Sequence, residues 1–545
     1  MAIRLIDTNN LELKSFVGSS VPKYAILSHT WGPEDDEVTF QDMLAINRGS
    51  GNPKRERPGY LKIIETCRKA RLTGIGYCWV DTCCIDKTSS AELSEAINSM
   101  FRWYRDAAFC YVLLSDFGIG PTRDLTSIGE CRWFKRGWCL QELVAPRHVE
   151  FFDRLWNFFG TREELSSRIS KITAIATNVL TGQVSMETLP IAQRLAWAAK
   201  RETTRTEDIA YCLLGIFDIQ MPIIYGEGTK AFIRLQEEIM KQSNDRSLFA
   251  SRQSGVHERY CSLLAPSPRY FSHCANLVYT ESGLYQGSAY ALTNRGLQFS
   301  ETELFIDFTS GVYSLPLFCM LPDEGTMGLL LQQVGPNLFA RLKVDLLRPF
   351  KSTGSHIVKK GIYITSHVTP SIHADLLLTD EHSIHVSSDT LIFENRNALH
   401  IEDGIAGSDR WDVAQMRFLT RGRSSFEGYC KLDVARALSS DDKYLVHDMT
   451  VQYCYLFCGF RTRYKGFMPE AWVFMYTGSL HLLQKEGNGT ATNPLDGLSG
   501  RKKTHATDRL DLGRKRYTRV YLDASIDVDT QRQNYGLKIN LTKAS

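Results

Sequence analysis

Tyr24-Ala-Ile-Leu-Ser28 and Gly76-Tyr-Cys-Trp-Val-Asp81 are short apolar runs, each closed by a polar residue. Apolar runs without strict alternation read as strands buried on both faces, as in a parallel sheet covered by helices. Between them, Leu61 to Leu72 reads as a helix with Ile64, Cys67 and Ala70 along one side. Beyond them, Ser89-Ser-Ala-Glu92 is a capping box opening a helix with Leu93, Ile97, Met100, Phe101 and Tyr104 at helical spacing. Cys110-Tyr-Val-Leu-Leu114 and His148 to Phe152 supply a third and a fourth strand. A helix around Trp138 to Ala145 lies between these two and is stopped by Pro146. Residues 1–155 therefore read as one α/β domain with a mostly parallel sheet. The 33–60 connection is long, contains Gly and Pro, and is basic at Lys54-Arg-Glu-Arg57, so it is expected to be a mobile lid or partner-binding loop.

Downstream, residues 156–245 turn helical: Thr161-Arg-Glu-Glu164 is a second capping box, and Phe232, Leu235 and Ile239 fall on one helix face. Residues 246–545 carry short β-rich runs such as Leu304-Phe-Ile-Asp-Phe308, Gly361-Ile-Tyr-Ile-Thr365 and Tyr453-Cys-Tyr-Leu-Phe457. Turn residues separate many of them, so this half is expected to be antiparallel and sandwich-like.

In 545 residues, 64 Lys+Arg against 61 Asp+Glu leave a net charge of +3, too balanced for a chain-wide nucleic-acid polyelectrolyte. Nucleic acid is not an expected partner; the basic Arg501-Lys-Lys503 and Arg514-Lys-Arg516 read as a solvated loop and strand edge, with an import signal as the alternative. The amino-terminal stretch has no apolar signal core, and no apolar run approaches the ~20 residues of a membrane span. Fourteen cysteines, several in apolar runs, suit reduced, buried thiols, so a cytoplasmic location is expected.

Several chemistries lack their motifs. There is no P-loop, no H-E-x-x-H, no C-x-x-C pair and no G-x-S-x-G elbow, so no resident metal or cofactor is expected. His382 and His385 would face opposite sides of a strand, the wrong disposition for a metal. Gly226-Glu-Gly228-Thr-Lys-Ala231 matches a relaxed dinucleotide fingerprint but lacks a surrounding βαβ unit, and reads as a tight turn before a helix.

Chemistry gathers instead at two places. In Arg136-Gly-Trp138-Cys-Leu-Gln-Glu142-Leu143, Trp138 and Glu142 are four apart and share a helix face. An indole beside a carboxylate desolvates it and offers a stacking surface; a Trp packed on the sheet beside an exposed Glu is the plainer alternative. Ser28-His29-Thr30-Trp31 and Asp81 fall at the carboxyl ends of the first two strands, where ligands collect in parallel sheets. Capping or turn formation is the alternative for Asp81.

Tyr24-Ala-Ile-Leu-Ser-His-Thr-Trp-Gly32, Gly76-Tyr-Cys-Trp-Val-Asp-Thr-Cys-Cys-Ile-Asp-Lys87 and Arg136-Gly-Trp-Cys-Leu-Gln-Glu-Leu143 resemble the three signature blocks of the fungal heterokaryon incompatibility (HET) domain. Arg201-Glu-Thr-Thr-Arg-Thr-Glu-Asp-Ile-Ala-Tyr-Cys-Leu-Leu-Gly215 and Tyr225-Gly-Glu-Gly228 resemble segments that usually follow it. The resemblance implies nonself recognition, with the domain triggering programmed cell death through protein partners and self-association on activation. Tyr24 to Ser28 and Trp138 to Leu143 are also similar to parts of Toll/interleukin-1-receptor (TIR) domains, which are flavodoxin-like and some of which cleave NAD. That likeness implies NAD as substrate and Glu142 as catalytic carboxylate, while Ser28, His29, Trp31, Asp81 and Trp138 are expected around the ligand from the strand-end and helix-face positions above. The residues after the first strand and the 33–60 connection depart from the TIR pattern. A non-enzymatic module that recruits death machinery through protein contacts is the alternative.

Overall fold

The computed structural model describes residues 2–48, 53–119, 124–252, 259–281, 289–307, 310–342, 355–377, 383–391, 399–400, 408–420, 425–433, 453–461, 470–477, 507–515, 518–529 and 534–544. It comprises two compact units. The first is Met1–Gln253 with Leu264–Gly287 and Leu317–Met327; the second takes the remainder.

The first unit is built on a seven-stranded sheet: β1 (Ala2–Asp7), β2 (Leu13–Val17), β3 (Ala25–His29), β4 (Tyr77–Trp79), β5 (Phe109–Leu113), β6 (Val149–Phe152) and β7 (Phe158–Thr161), in the order β2-β1-β4-β3-β5-β6-β7. β3 runs parallel to β4 and β5, and β5 parallel to β6. These four central strands alternate with helices, and their order reverses between β3 and β5, the doubly wound arrangement in which ligands collect at the switch point. All five residues of β3 are buried, as its apolar run requires. The hairpin β1–β2 and strand β7 are antiparallel additions at the two edges. β1 buries Ile3, Leu5 and Ile6, and because the adjacent Leu5 and Ile6 point to opposite sides of the sheet, both faces are covered there.

Helices α1 (Phe40–Asn47), α2 (Pro58–Leu72), α3 (Asp81–Cys84), α4 (Ser90–Asp106), α5 (Arg132–Lys135) and α6 (Cys139–Val144) join these strands. α2 starts on Pro58, preset for a first helical turn, and buries Ile63, Cys67 and Ala70, with Ile64 only half-buried beside that stripe. The box at α4 closes on one side only. Ser89 Oγ accepts the Glu92 N–H, but the Glu92 carboxylate accepts from Arg4 and from the Asp86 N–H.

The 33–60 connection is not the expected loose lid. It contains α1, capped reciprocally by Thr39 and Asp42, and Val38 and Met43 are wholly buried. Gly59, entering α2, lies so close to Asp36 and Glu37 that a Cβ there would stand 2.4 Å from the Asp36 carbonyl oxygen. Buried apolar side chains and a capped helix make the described part of this segment a packed insertion; residues 49–52 lie outside the described ones.

Beyond the sheet come α7 (Ser166–Thr173), α8 (Thr177–Leu180), α9 (Ile191–Ala196), α10 (Asp208–Tyr211) and α11 (Lys230–Gln242). Thr161 and Glu164 exchange hydrogen bonds as their spacing predicts, although the helix begins only at Ser166. Gln236 on α11 is buried and bonds both polar groups of Ala265, at 2.7 and 3.1 Å.

The second unit is β-rich. Strands Ser425–Asp433, Tyr453–Arg461 and Glu470–Tyr476 form one antiparallel run, and Thr507–Lys515, Thr518–Asp529 and Asn534–Ala544 another. Ser383–Ser387 is added parallel to the last of these. One apolar cluster, including Ile384, Trp411, Phe418, Leu456, Leu522 and Ile539, draws on both sheets. Arg514 lies on a strand, whereas residues 501–506 and 516, and likewise His382, lie outside the described residues. No helix among the described residues is long and apolar enough to cross a membrane.

Candidate functional site

The end of β3 places two consecutive polar side chains, Ser28 and His29, where the strand order reverses. Both are buried, so their polar atoms need partners within the protein. Ser28 Oγ donates to Glu142 Oε2 at 2.5 Å and accepts from Trp133 Nε1 at 2.8 Å. Trp133, on α5, is itself wholly buried, edge-on to Phe134 and Phe151. Glu142, on α6, retains 6% exposure. Burial pushes its carboxyl up to about 7; the Ser28 hydrogen bond and the Arg136 charge pull it down, while Asp81 pushes it further up.

His29 belongs to a second chain of contacts. Lys62, buried on α2, directs its ammonium group at Glu37 Oε1 (2.5 Å), the Thr30 carbonyl (3.2 Å) and His29 Nδ1 (3.2 Å). An ammonium group only donates, so Nδ1 of His29 accepts and the ring proton sits on Nε2. Nε2–H then donates to Asp81 Oδ1 at 3.0 Å, and Asp81 Oδ2 accepts from Trp31 Nε1 at 2.8 Å. Burial raises the Asp81 carboxyl, but the His29 hydrogen bond and the Lys87 and Arg136 charges outweigh it and hold the group well below the usual carboxylate range. With both oxygens engaged, Asp81 orients its neighbours; it does not cap α3, whose N-cap is Val80.

The structure thus joins Ser28 with Glu142, and His29 with Asp81 and Trp31, through adjacent residues of β3. Trp138 stands apart. It is the N-cap of α6 and acts on Asp208 of α10, which also accepts from the Tyr225 hydroxyl at 3.1 Å. The indole beside the Ser28–Glu142 pair is that of Trp133. Sequence reasoning missed Trp133, Lys62 and Glu37. Lys62 did leave a signal, a lysine on the face of α2 that buries Thr66.

The segment 201–212 braces this end of α6. The Gly137 N–H donates to the Glu202 carbonyl at 2.8 Å, and Arg201 Nη1 to the Arg136 carbonyl at 2.9 Å. A Cβ at Gly137 would stand 2.6 Å from Thr203 Cγ2. The Gly226–Gly228 turn resolves equally plainly, because Glu207 Oε1 accepts from both glycine N–H groups, at 2.8 and 2.9 Å. A protein carboxylate occupies the donors that a phosphate would need. Among the described residues no group of three or more His, Cys, Asp or Glu is disposed to hold a metal ion.

Residues 24–118, which include Ser28, His29, Trp31 and Asp81, match the family model of the heterokaryon incompatibility protein (HET). This chain carries a HET domain. Vegetative incompatibility protein HET-E-1 of Podospora anserina is similar to the chain, 46% identical over 235 residues. That match covers 42% of this chain and 17% of HET-E-1, well under a fifth of the relative's own length. No solved structure matches the chain. The Glu37–Lys62–His29–Asp81–Trp31 series lies wholly within the matched HET segment, whereas Trp133 and Glu142 come from the helices that follow it.

Proposed function

We propose that the chain is an effector of fungal heterokaryon incompatibility whose HET domain triggers cell death by cleaving NAD at the nicotinamide–ribose bond. The observation that carries this reading is the buried Ser28–Glu142 pair at the β3/β5 switch point, with a carboxyl group that titrates near neutrality. Breaking the bond leaves its electron pair on the nicotinamide nitrogen, whose positive charge is thereby discharged, so the leaving group needs no proton. Positive charge develops on the ribose, and an ionised carboxylate in a largely water-excluded site stabilises it. Water then adds to the ribose carbon and loses its proton, giving nicotinamide, ADP-ribose and one proton in total. Ser28 holds the carboxylate in one orientation, and Trp133 fixes Ser28 in turn. The name of HET-E-1 supports the incompatibility role.

Because only the ionised form of Glu142 serves, cleavage rises with pH through about 7. The biological test is expression of the Glu142→Gln chain in fungal cells at parental abundance. Loss of killing supports the reading. Undiminished killing contradicts it and favours a module that acts through protein contacts alone.

A further inference from the structure

Trp31 carries more than its bond to Asp81. Lys87 Nζ stands 3.5 Å from the centre of its ring and Arg136 Cζ 5.2 Å, so two cations share one indole and lie close to each other. Among the described residues neither cation has a carboxylate oxygen within ion-pair distance. Lys62 and Glu37 neutralise each other nearby, and His29 is the uncharged tautomer, as its Lys62 contact requires. Asp81 feels both Lys87 and Arg136, and Lys87 feels Glu37 as well, so the two cations are balanced through space and not by direct ion pairs. Lys87 is exposed and Trp31 and Arg136 are half-buried, which leaves the group within reach of solvent. Arg136 also acts on the charge of Glu142, which places the cationic group beside the carboxylate assigned to cleavage.

We propose that Lys87 and Arg136, arrayed on Trp31, form a subsite for the diphosphate group of a nucleotide ligand. The inference rests on the NAD reading only for the nucleotide; the cationic subsite stands on its own geometry. A diphosphate presents several anionic oxygens over a short span, which suits an ammonium and a guanidinium held near one ring. A hydrogen bond from a cation to phosphate is stronger than an exposed cation–π contact, so the ligand draws both side chains off the indole. The Glu37–Lys62–His29–Asp81 series keeps Trp31 in place while they move.

The test is calorimetric titration of the Glu142→Gln chain with inorganic pyrophosphate and, separately, with ADP-ribose, since neither probe can be cleaved. Both are expected to bind, ADP-ribose the more tightly. Lys87→Gln and Arg136→Gln should each weaken binding about tenfold or more, with Lys87→Arg restoring it and Lys14→Gln on β2 without effect. Equal affinity in all variants, or no binding of either probe, overturns the subsite. ADP-ribose binding no better than pyrophosphate overturns the nucleotide assignment. Should Arg136→Gln unfold, exposed Lys87 decides alone. Lysine-dependent binding without nicotinamide release from the parent would sink the cleavage reading and leave the subsite intact.

Discussion

Lys62 shows how a single buried charge sets the chemistry around it. Its ammonium group fixes the His29 tautomer and neutralises Glu37, so removing it strands a buried carboxylate. Lys62→Met should destabilise the protein by about 3 kcal/mol or more, measured by urea unfolding. Glu142 works in the opposite sense. Its carboxyl stands near 7 when folded against 4.5 as the ordinary value, so between these pH values the folded protein holds a proton that the unfolded chain releases. This group's contribution to stability is full below about 4.5 and falls as the pH rises to about 7. Glu142→Gln abolishes that slope, and its stability relative to the parent should rise by about 3 kcal/mol between pH 4 and pH 8, read by thermal unfolding at both. Ser28, His29 and Asp81 stand out in the sequence because polar residues ending apolar strands have few structural reasons to be there, and Glu142 because it is the one acidic residue of its apolar helix. Trp133 does not, since the sequence does not reveal which of two nearby indoles turns inward. Trp138 is not the indole at Ser28 because its side chain turns to Asp208 of α10, while Trp133 of α5 bonds Ser28.

At the scale of elements, glycines mark where segments close on one another. A Cβ at Gly59 meets backbone atoms of Asp36 and Glu37, which have no side-chain rotamer to yield. Gly59→Ala should therefore cost about 1–3 kcal/mol, seen as a lowered melting temperature, and should speed hydrogen exchange over 39–47. The four parallel strands and helices α2 and α4 could be read from the sequence, because continuous apolar runs and helical spacing are strong signals. The edge strands could not: β1 and β2 are not continuous apolar runs, and β7 ends on Gly160-Thr161. Helix α1 was hidden by the Gly- and Pro-containing stretch after it and by a cap that uses Asp42 where the usual box has Glu or Gln.

Across the whole molecule, all fourteen cysteines are buried. Burial raises several of these thiols well above their ordinary value, Cys110 and Cys139 beside Glu142 among them. A thiol reagent should find few reactive groups in the native protein and fourteen after denaturation, and mild reductant should leave the melting temperature unchanged. Chain length matters as well. Gln236 bonds Ala265, Gln193 bonds the Ala275 carbonyl and Tyr279 bonds Asp245, so a chain cut after residue 245 loses partners of its own first unit. The central claim concerns chemistry, and nicotinamide release measures it most directly. Purified protein, concentrated or artificially clustered, is incubated with NAD alongside the Glu142→Gln variant, both confirmed folded by circular dichroism. The parent is predicted to release nicotinamide and ADP-ribose in equal amounts, faster at pH 8 than at pH 6, and the variant to release none; no release from clustered parent, or equal release from both, would contradict the account.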